Sequence, residues 1–166
     1  SDLVSDMDMK THTKPRSPLA GLADPTLLKT DGLINGDWVV GQNRFEVHDP
    51  STGEVLAQVA NLQASHAEQA IVAANQAWPA WRQLTAKARS QLLRQWFDLL
   101  MAHVDDLARI LTAEQGKPYP EAKGEIAYGA SFVEWYAEEA KRVNGETLPP
   151  FDNNRRLMVI QQPIDR

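Results

Sequence analysis

The sequence predicts an α/β chain: β-hairpins first, then three main helices, then a short apolar strand near the last residue. Three observations carry that reading. Asn35-Gly36 lies between Leu33-Ile34 and Trp38-Val39, a hairpin signal because both turn residues tolerate positive φ. Leu92, Leu93, Trp96, Leu99, Leu100, Val104, Leu107, Ile110 and Leu111 form an apolar stripe at helical spacing. Gly116 and then Pro118 punctuate that stripe, a Gly at the helix stop and a Pro where no helix continues.

Residues 1–28 mix Asp2, Asp6, Asp8 and Asp24 with Lys10, Lys14 and Arg16, and carry Pro15, Pro18 and Pro25. They read as a flexible or surface-draped tail, because so few apolar residues cannot offset the entropy of ordering. From 32 to 60 a small antiparallel sheet is expected. Phe45 and Val47 alternate with Glu46 and His48, and Asp49-Pro50-Ser51-Thr52-Gly53 reverses the chain. Ser65 with Glu68 matches a capping box, and Ala67, Ala70, Ile71, Ala74 and Trp78 follow at helical spacing, with Pro79 as the expected stop. Thr85 is the expected cap of the second helix, which runs to Gly116.

The third helix opens at Tyr119-Pro120, with Pro near its first position. Ile126, Ala130, Val133, Ala137 and Ala140 form one stripe; Tyr128, Phe132, Trp135 and Tyr136 form a second, aromatic strip. That strip is either core or one wall of an apolar ligand passage, since Trp and Tyr offer broad apolar faces with a polar tip. Lys141 and Arg142 suit the C-terminal end, and Asn144-Gly145 the stop. Gly124 and Gly129 inside the helix each cost ~1 kcal/mol against Ala, which suggests close approach of a helix or a ligand. Leu157-Met158-Val159-Ile160 then reads as a short strand with open edges.

Composition narrows the function. The 166 residues are 43% hydrophobic and 23% charged, which is globular composition. Seventeen Lys and Arg against 22 Asp and Glu give −5, with no basic run, so a nucleic-acid partner is not expected. The apolar runs are a few residues long, so no membrane partner is expected either. No export signal is legible, and a cytoplasmic location is the expectation. Cysteine is absent, which removes disulfides, thiolate zinc sites and a thiol nucleophile from these residues.

Other chemistry is equally sparse. No two of the nine glycines are spaced G-x-G, so a dinucleotide fingerprint is missing. His12, His48, His66 and His103 form no ligand pair, and no metal site is expected; His103 reads as a packed or half-exposed helix residue. Glu114-Gln115-Gly116-Lys117-Pro118 is the densest polar cluster. A helix stop accounts for every residue of it, and a functional cluster is the alternative. Glu134, Glu138 and Glu139 read as a solvated face.

From about Leu33 to Ile164 the chain resembles the N-terminal part of the aldehyde dehydrogenase superfamily, nearest its succinate- or glutarate-semialdehyde group. The matching words are L-I-N-G-D-W at 33–38, D-P-S-T-G-E-V-L at 49–56 and W-P-A-W-R at 78–82. D-D-L-A-R-I-L at 105–111, E-Q-G-K-P at 114–118 and E-A-K-G-E-I-A-Y at 121–128 are more specific. S-F-V-E-W-Y-A-E-E-A-K-R at 131–142 and Q-Q-P-I at 161–164 complete the series, all in family order.

The resemblance implies NAD- or NADP-dependent oxidation of a small aldehyde, such as succinate semialdehyde, to the carboxylic acid. In the family a cysteine thiolate attacks the carbonyl, hydride passes to the nicotinamide, and a glutamate activates the water that releases the thioester. Those groups, and a Rossmann-like cofactor domain, follow the aligned stretch in the family. The expectation is therefore a truncated, non-catalytic fragment with the cofactor domain largely missing. No catalytic, cofactor-binding or metal residue is carried over, and neither NADP nor NAD is expected to bind these residues alone.

What the resemblance does carry over is scaffold. It divides the chain into a tail (1–28), the hairpin and helical segment (29–144), and the start of an oligomerisation arm (145–166). Tyr128 and Phe132, one helical turn apart, are expected to face the aldehyde tunnel. Leu157, Met158, Val159 and Ile160 are expected to form the arm strand of the family's homo-oligomers. Without the rest of that architecture the helical stripes should stay exposed. Two alternatives remain: a stand-alone interaction module that assembles with a full-length aldehyde dehydrogenase, and an unrelated helical binding domain if the word matches are accidental.

Overall fold

The structure is a computed structural model and describes residues 17–164. Two short 310 turns, Pro18–Gly21 and Pro25–Leu27, open it. The hairpin β1 (Gly32–Ile34) and β2 (Asp37–Val39) follows, then β3 (Asn43–His48) with β4 (Val55–Asn61). The helices are α1 (Ala64–Gln83), α2 (Ala86–Ala102), α3 (Val104–Gln115) and α4 (Tyr119–Glu139), and a last hairpin pairs β5 (Glu146–Leu148) with β6 (Leu157–Val159).

The expected single sheet over 32–60 is two separate antiparallel hairpins, β1-β2 and β3-β4. The first closes as expected: Ile34 pairs with Asp37, and Asn35 (φ 52°) and Gly36 (φ 84°) both take the left-handed region that a two-residue turn requires. In the second, Asn43 pairs with Asn61 and His48 with Val55, with an irregularity between Val47 and His48. Asp49 shapes its turn: one carboxylate oxygen accepts from the Ser51 amide (2.8 Å) and hydroxyl (2.7 Å). The two hairpins are tied through the segment before β1. The Ala60 amide donates to the Thr30 carbonyl (2.8 Å), and Arg44 pairs with Asp31 while donating to the Gln58 carbonyl (2.9 Å).

Four helix boundaries differ from expectation: α4 ends at Glu139, short of Asn144-Gly145, and the other three each have a local reason. The cap of α1 is not Ser65 with Glu68. His66 Nδ1 accepts from the Gln63 amide (3.0 Å), while the His66 amide donates to the Gln63 carbonyl (2.9 Å). Pro79 does not end α1, which runs on to Gln83. Both Pro79 and Asn75, whose carbonyl loses its partner, are exposed, so solvent is free to meet that carbonyl. The long second helix breaks at His103 into α2 and α3. Asp105 and Asp106 fall in the first turn of α3, where the helix dipole favours carboxylates. Thr85 caps α2 as expected, its hydroxyl accepting from the Ala88 amide (3.2 Å). Gly116 ends α3 at φ 77°; a Cβ there would lie 2.8 Å from Pro50 Cγ, so the position needs glycine twice over.

Residues 17–28, read from sequence as part of the tail, are seated on α3; residues 1–16 lie outside the described residues. Asp106, 5% exposed, holds them with both carboxylate oxygens. Oδ1 accepts from the Ala23 amide and Oδ2 from the Asp24 amide, each at 2.8 Å. Asp24 in turn caps the second 310 turn by accepting from the Thr26 amide (3.0 Å).

The core is thin. α4 packs on α2 and α3 through small residues: Ala122, Ala130 and Ala137 on α4 and Ala108 and Ala113 on α3 are buried. Every buried hydrophobic residue described is an alanine, and no large side chain is fully buried. The accessible surface is 13184 Å². A compact monomer of this mass exposes about 8,200 Å². The surplus of about 5,000 Å² exceeds the about 2,900 Å² that the residues outside 17–164 would carry fully extended. The exposure that the sequence led us to expect is therefore present.

Candidate functional site

α4 divides into two faces. Alanines close the inner one, which lets the helix approach its neighbours; the outer one carries the aromatic strip. Tyr128 (66% exposed) and Phe132 (49%) meet edge to face with centroids 5.0 Å apart. Phe132, Trp135 and Tyr136 line a surface groove of about 620 Å³ with Glu134, Glu138 and Arg142. Tyr128 sits one turn before that groove rather than in it. Of the two sequence readings of the strip, core is thus excluded within this chain. The glycines do not mark close packing either: nothing lies within 4 Å of where a Cβ would stand at Gly124 or Gly129.

The charges around the groove are spent on one another. Glu138 pairs with Lys141 (2.9 Å), and that hydrogen bond holds the Glu138 carboxyl below its ordinary value. Glu139 pairs with Arg142 (3.1 Å). Glu134 pairs with Arg94 across the α2–α4 contact (3.0 Å), and the Arg94 guanidinium also lies over the Phe97 ring. General acid work at neutral pH needs a raised carboxyl, and that of Glu138 is held down instead.

Lys117 pairs with Glu125, and the cluster at 114–118 is a helix stop. A denser titratable group lies beside it, one that sequence reading missed. Asp105 accepts from both the Tyr119 hydroxyl and the Lys123 ammonium, each at 2.7 Å. These bonds lower the Asp105 carboxyl and raise Tyr119 and Lys123. The Arg109 guanidinium covers the Tyr119 ring (5.1 Å). All these groups are spoken for in joining α3 to α4, and they leave no free nucleophile or base. Among the described residues no group of three or more His, Cys, Asp or Glu could hold a metal ion.

The arm strand is shorter than expected. β6 ends at Val159, and Ile160 lies just beyond it. Leu157 is half-buried, while Met158 (74%) and Ile160 (63%) are exposed, and among the described residues β6 pairs only with β5. No hydrogen bond among the described residues joins this hairpin to the groove residues.

A dinucleotide needs a crevice at the ends of parallel strands, with a glycine-rich turn feeding a helix. The strands described here are three antiparallel pairs, and no turn between a strand and a helix carries that spacing. The described residues therefore do not build a crevice of that parallel-strand kind. No helix among the described residues is long and apolar enough to cross a membrane.

Comparison with known proteins gives these features a frame. A model of the aldehyde dehydrogenase family matches residues 38–165. The succinate-semialdehyde dehydrogenase [NADP(+)] GabD of Escherichia coli (strain K12) is 52% identical over 145 residues, 86% of this chain and 30% of that protein. A glutarate-semialdehyde dehydrogenase of Pseudomonas putida is 52% identical over the same shares. A crystal structure of succinate-semialdehyde dehydrogenase from Burkholderia pseudomallei superposes with a TM-score of 0.82 at 53% identity, over 87% of this chain and 30% of that one. The chain thus spans about 30% of the length of these relatives, in their N-terminal part.

Proposed function

The chain belongs to the aldehyde dehydrogenase family, and from that premise we propose that it forms the N-terminal scaffold of an enzyme that oxidises succinate semialdehyde, or a related aldehyde, to the acid with NADP or NAD. In this reading α4 walls the aldehyde entrance, with Tyr128 and Phe132 as tunnel positions. The hairpin carrying Leu157, Met158, Val159 and Ile160 joins subunits of a homo-oligomer. The observation that carries the reading is the two-faced α4: alanines pack its inner side, and an unburied aromatic strip occupies its outer side. An exposed Trp135 or Tyr136 is costly unless something covers it or passes along it.

By itself the chain has no role for its own residues in bond making. It supplies shape: a rigid helical wall and apolar contact area, which bind and orient an aldehyde and exclude water once the wall is completed. The oxidation needs a thiol nucleophile in this family, and the 166 residues contain none. We therefore hold the isolated chain to be non-catalytic. Replacing the residues equivalent to Tyr128 and Phe132 by Ala in the Escherichia coli relative should raise KM for the aldehyde and leave KM for NADP unchanged. An unchanged aldehyde KM removes the tunnel assignment.

The exposed apolar faces favour a second reading, an interaction module that joins a full-length relative. Co-purification of tagged chain with that relative, at defined stoichiometry, would support it. Separate elution on a sizing column would leave the scaffold reading alone.

A further inference from the structure

We propose that Asn35 is a site of spontaneous deamidation, and that its isoaspartyl product releases the β1-β2 hairpin. The reaction needs an asparagine carboxamide, a following backbone amide free to attack it, and room for the chain to turn. All three meet at Asn35-Gly36. Asn35 and Gly36 are both exposed. The Asn35 carboxamide makes no hydrogen bond among the described residues, and the Gly36 amide has no backbone partner there. Nothing lies within 4 Å of where a Gly36 Cβ would stand, so the turn is open on that side.

In the step itself the Gly36 nitrogen bonds to Asn35 Cγ and the Cγ–Nδ2 bond breaks. Ammonia leaves with the proton from the Gly36 amide. Water then opens the cyclic imide at either carbonyl, giving aspartate or, with the main chain rerouted through the side chain, isoaspartate. Ring closure needs rotation about the Asn35 Cα–C bond to bring the Gly36 nitrogen onto Cγ, and the left-handed turn (φ 52°) fixes that rotation elsewhere, so the turn must loosen first. The hairpin gives little resistance. It has three residue pairs, Gly32 with Val39 to Ile34 with Asp37, and its large side chains Leu33 and Trp38 are exposed.

The sequence holds a second Asn-Gly pair, and the structure separates the two. At Asn144-Gly145 the Asn144 amide donates to the Arg142 carbonyl (2.8 Å). The Gly145 backbone lies against the Val159 carbonyl, so closely that a Cβ there would overlap its oxygen. The Val159 carbonyl crowds Gly145 on one side, whereas nothing packs against Gly36, so Asn35 reacts first. The consequence is specific to its turn. Aspartate at 35 still tolerates positive φ and keeps the hairpin, whereas isoaspartate lengthens the main chain inside a two-residue loop and breaks the Ile34–Asp37 register.

The test incubates the whole purified chain at mildly alkaline pH and maps its peptides by mass over time, with isoaspartate scored by methyltransferase labelling. A denatured sample run in parallel sets the unrestrained rate at both sites. Expected are conversion of the 30–41 peptide ahead of the 143–150 peptide in the folded chain, loss of that signal in Asn35→Gln, and faster proteolysis within 32–39 as isoaspartate accumulates. Conversion at Asn144 first, or an intact Asn35 in the folded chain while the denatured sample converts, would overturn the proposal.

Discussion

Replacing Asp106 by Asn should undock residues 17–28 from α3 without unfolding the helices. The magnitude follows from two contacts. A 5% exposed carboxylate accepts from the amides of Ala23 and Asp24 at 2.8 Å each. A hydrogen bond to a charged group contributes about 1.5–3 kcal/mol. Asparagine keeps one acceptor, loses the charge, and turns an NH2 group toward an N–H donor. At least one bond is lost, about 2 kcal/mol, which raises the undocked population ~30-fold. The effect has a ceiling, because Ala23 is exposed and Asp24 half-buried, so the freed amides find water instead of being stranded. Hydrogen exchange resolved by peptide is the assay: amides in 17–28 should exchange faster in the variant, while those of 104–115 keep their protection. Equal exchange of 17–28 in the two proteins would refute the assignment of Asp106 as the clip.

Further outcomes follow from the same packing. Gly116→Ala should destabilise by about 1–2 kcal/mol from the left-handed backbone alone, and by more as Pro50 is forced aside; a denaturant midpoint measures it. Ala130→Leu should cost about 1–3 kcal/mol by pushing α4 off its neighbours, read as a lower midpoint and brighter binding of an apolar dye. The Asp105 group predicts a stability plateau. The lowered Asp105 carboxyl contributes above its ordinary 3.8 and stops as pH falls through its folded value. The raised Tyr119 and Lys123 contribute below their ordinary 10.0 and 10.5 and stop as pH rises through their folded values. Asp105→Asn should therefore flatten both flanks of the thermal midpoint plotted against pH.

Much of this architecture was legible because single residues dictate it. Asn35-Gly36, Thr85, Gly116 and Tyr119-Pro120 each place a boundary through backbone geometry or a cap, and the structure puts turns and helix ends there. The boundaries that differ depend on surroundings a local pattern does not contain. Pro79 is tolerated because its side of α1 faces water, and His66 caps because its ring folds back onto Gln63. At the break at His103 paired acids open α3, a helix-start signal that the unbroken apolar stripe hid. The alanine stripe on α4 was visible as a pattern, but a pattern alone does not say which of two faces is covered. Asp106 was the least legible: an acid in a first helical turn is ordinary, and only its long-range bonds to Ala23 and Asp24 give it a purpose.

The most direct measurement mixes the purified chain with succinate semialdehyde and NADP or NAD and follows reduced nicotinamide. As a scaffold without a thiol, it should give the rate of the protein-free blank with either cofactor. A rate that scales with chain concentration, after host dehydrogenases have been removed by tag purification and excluded by mass spectrometry, would contradict the account.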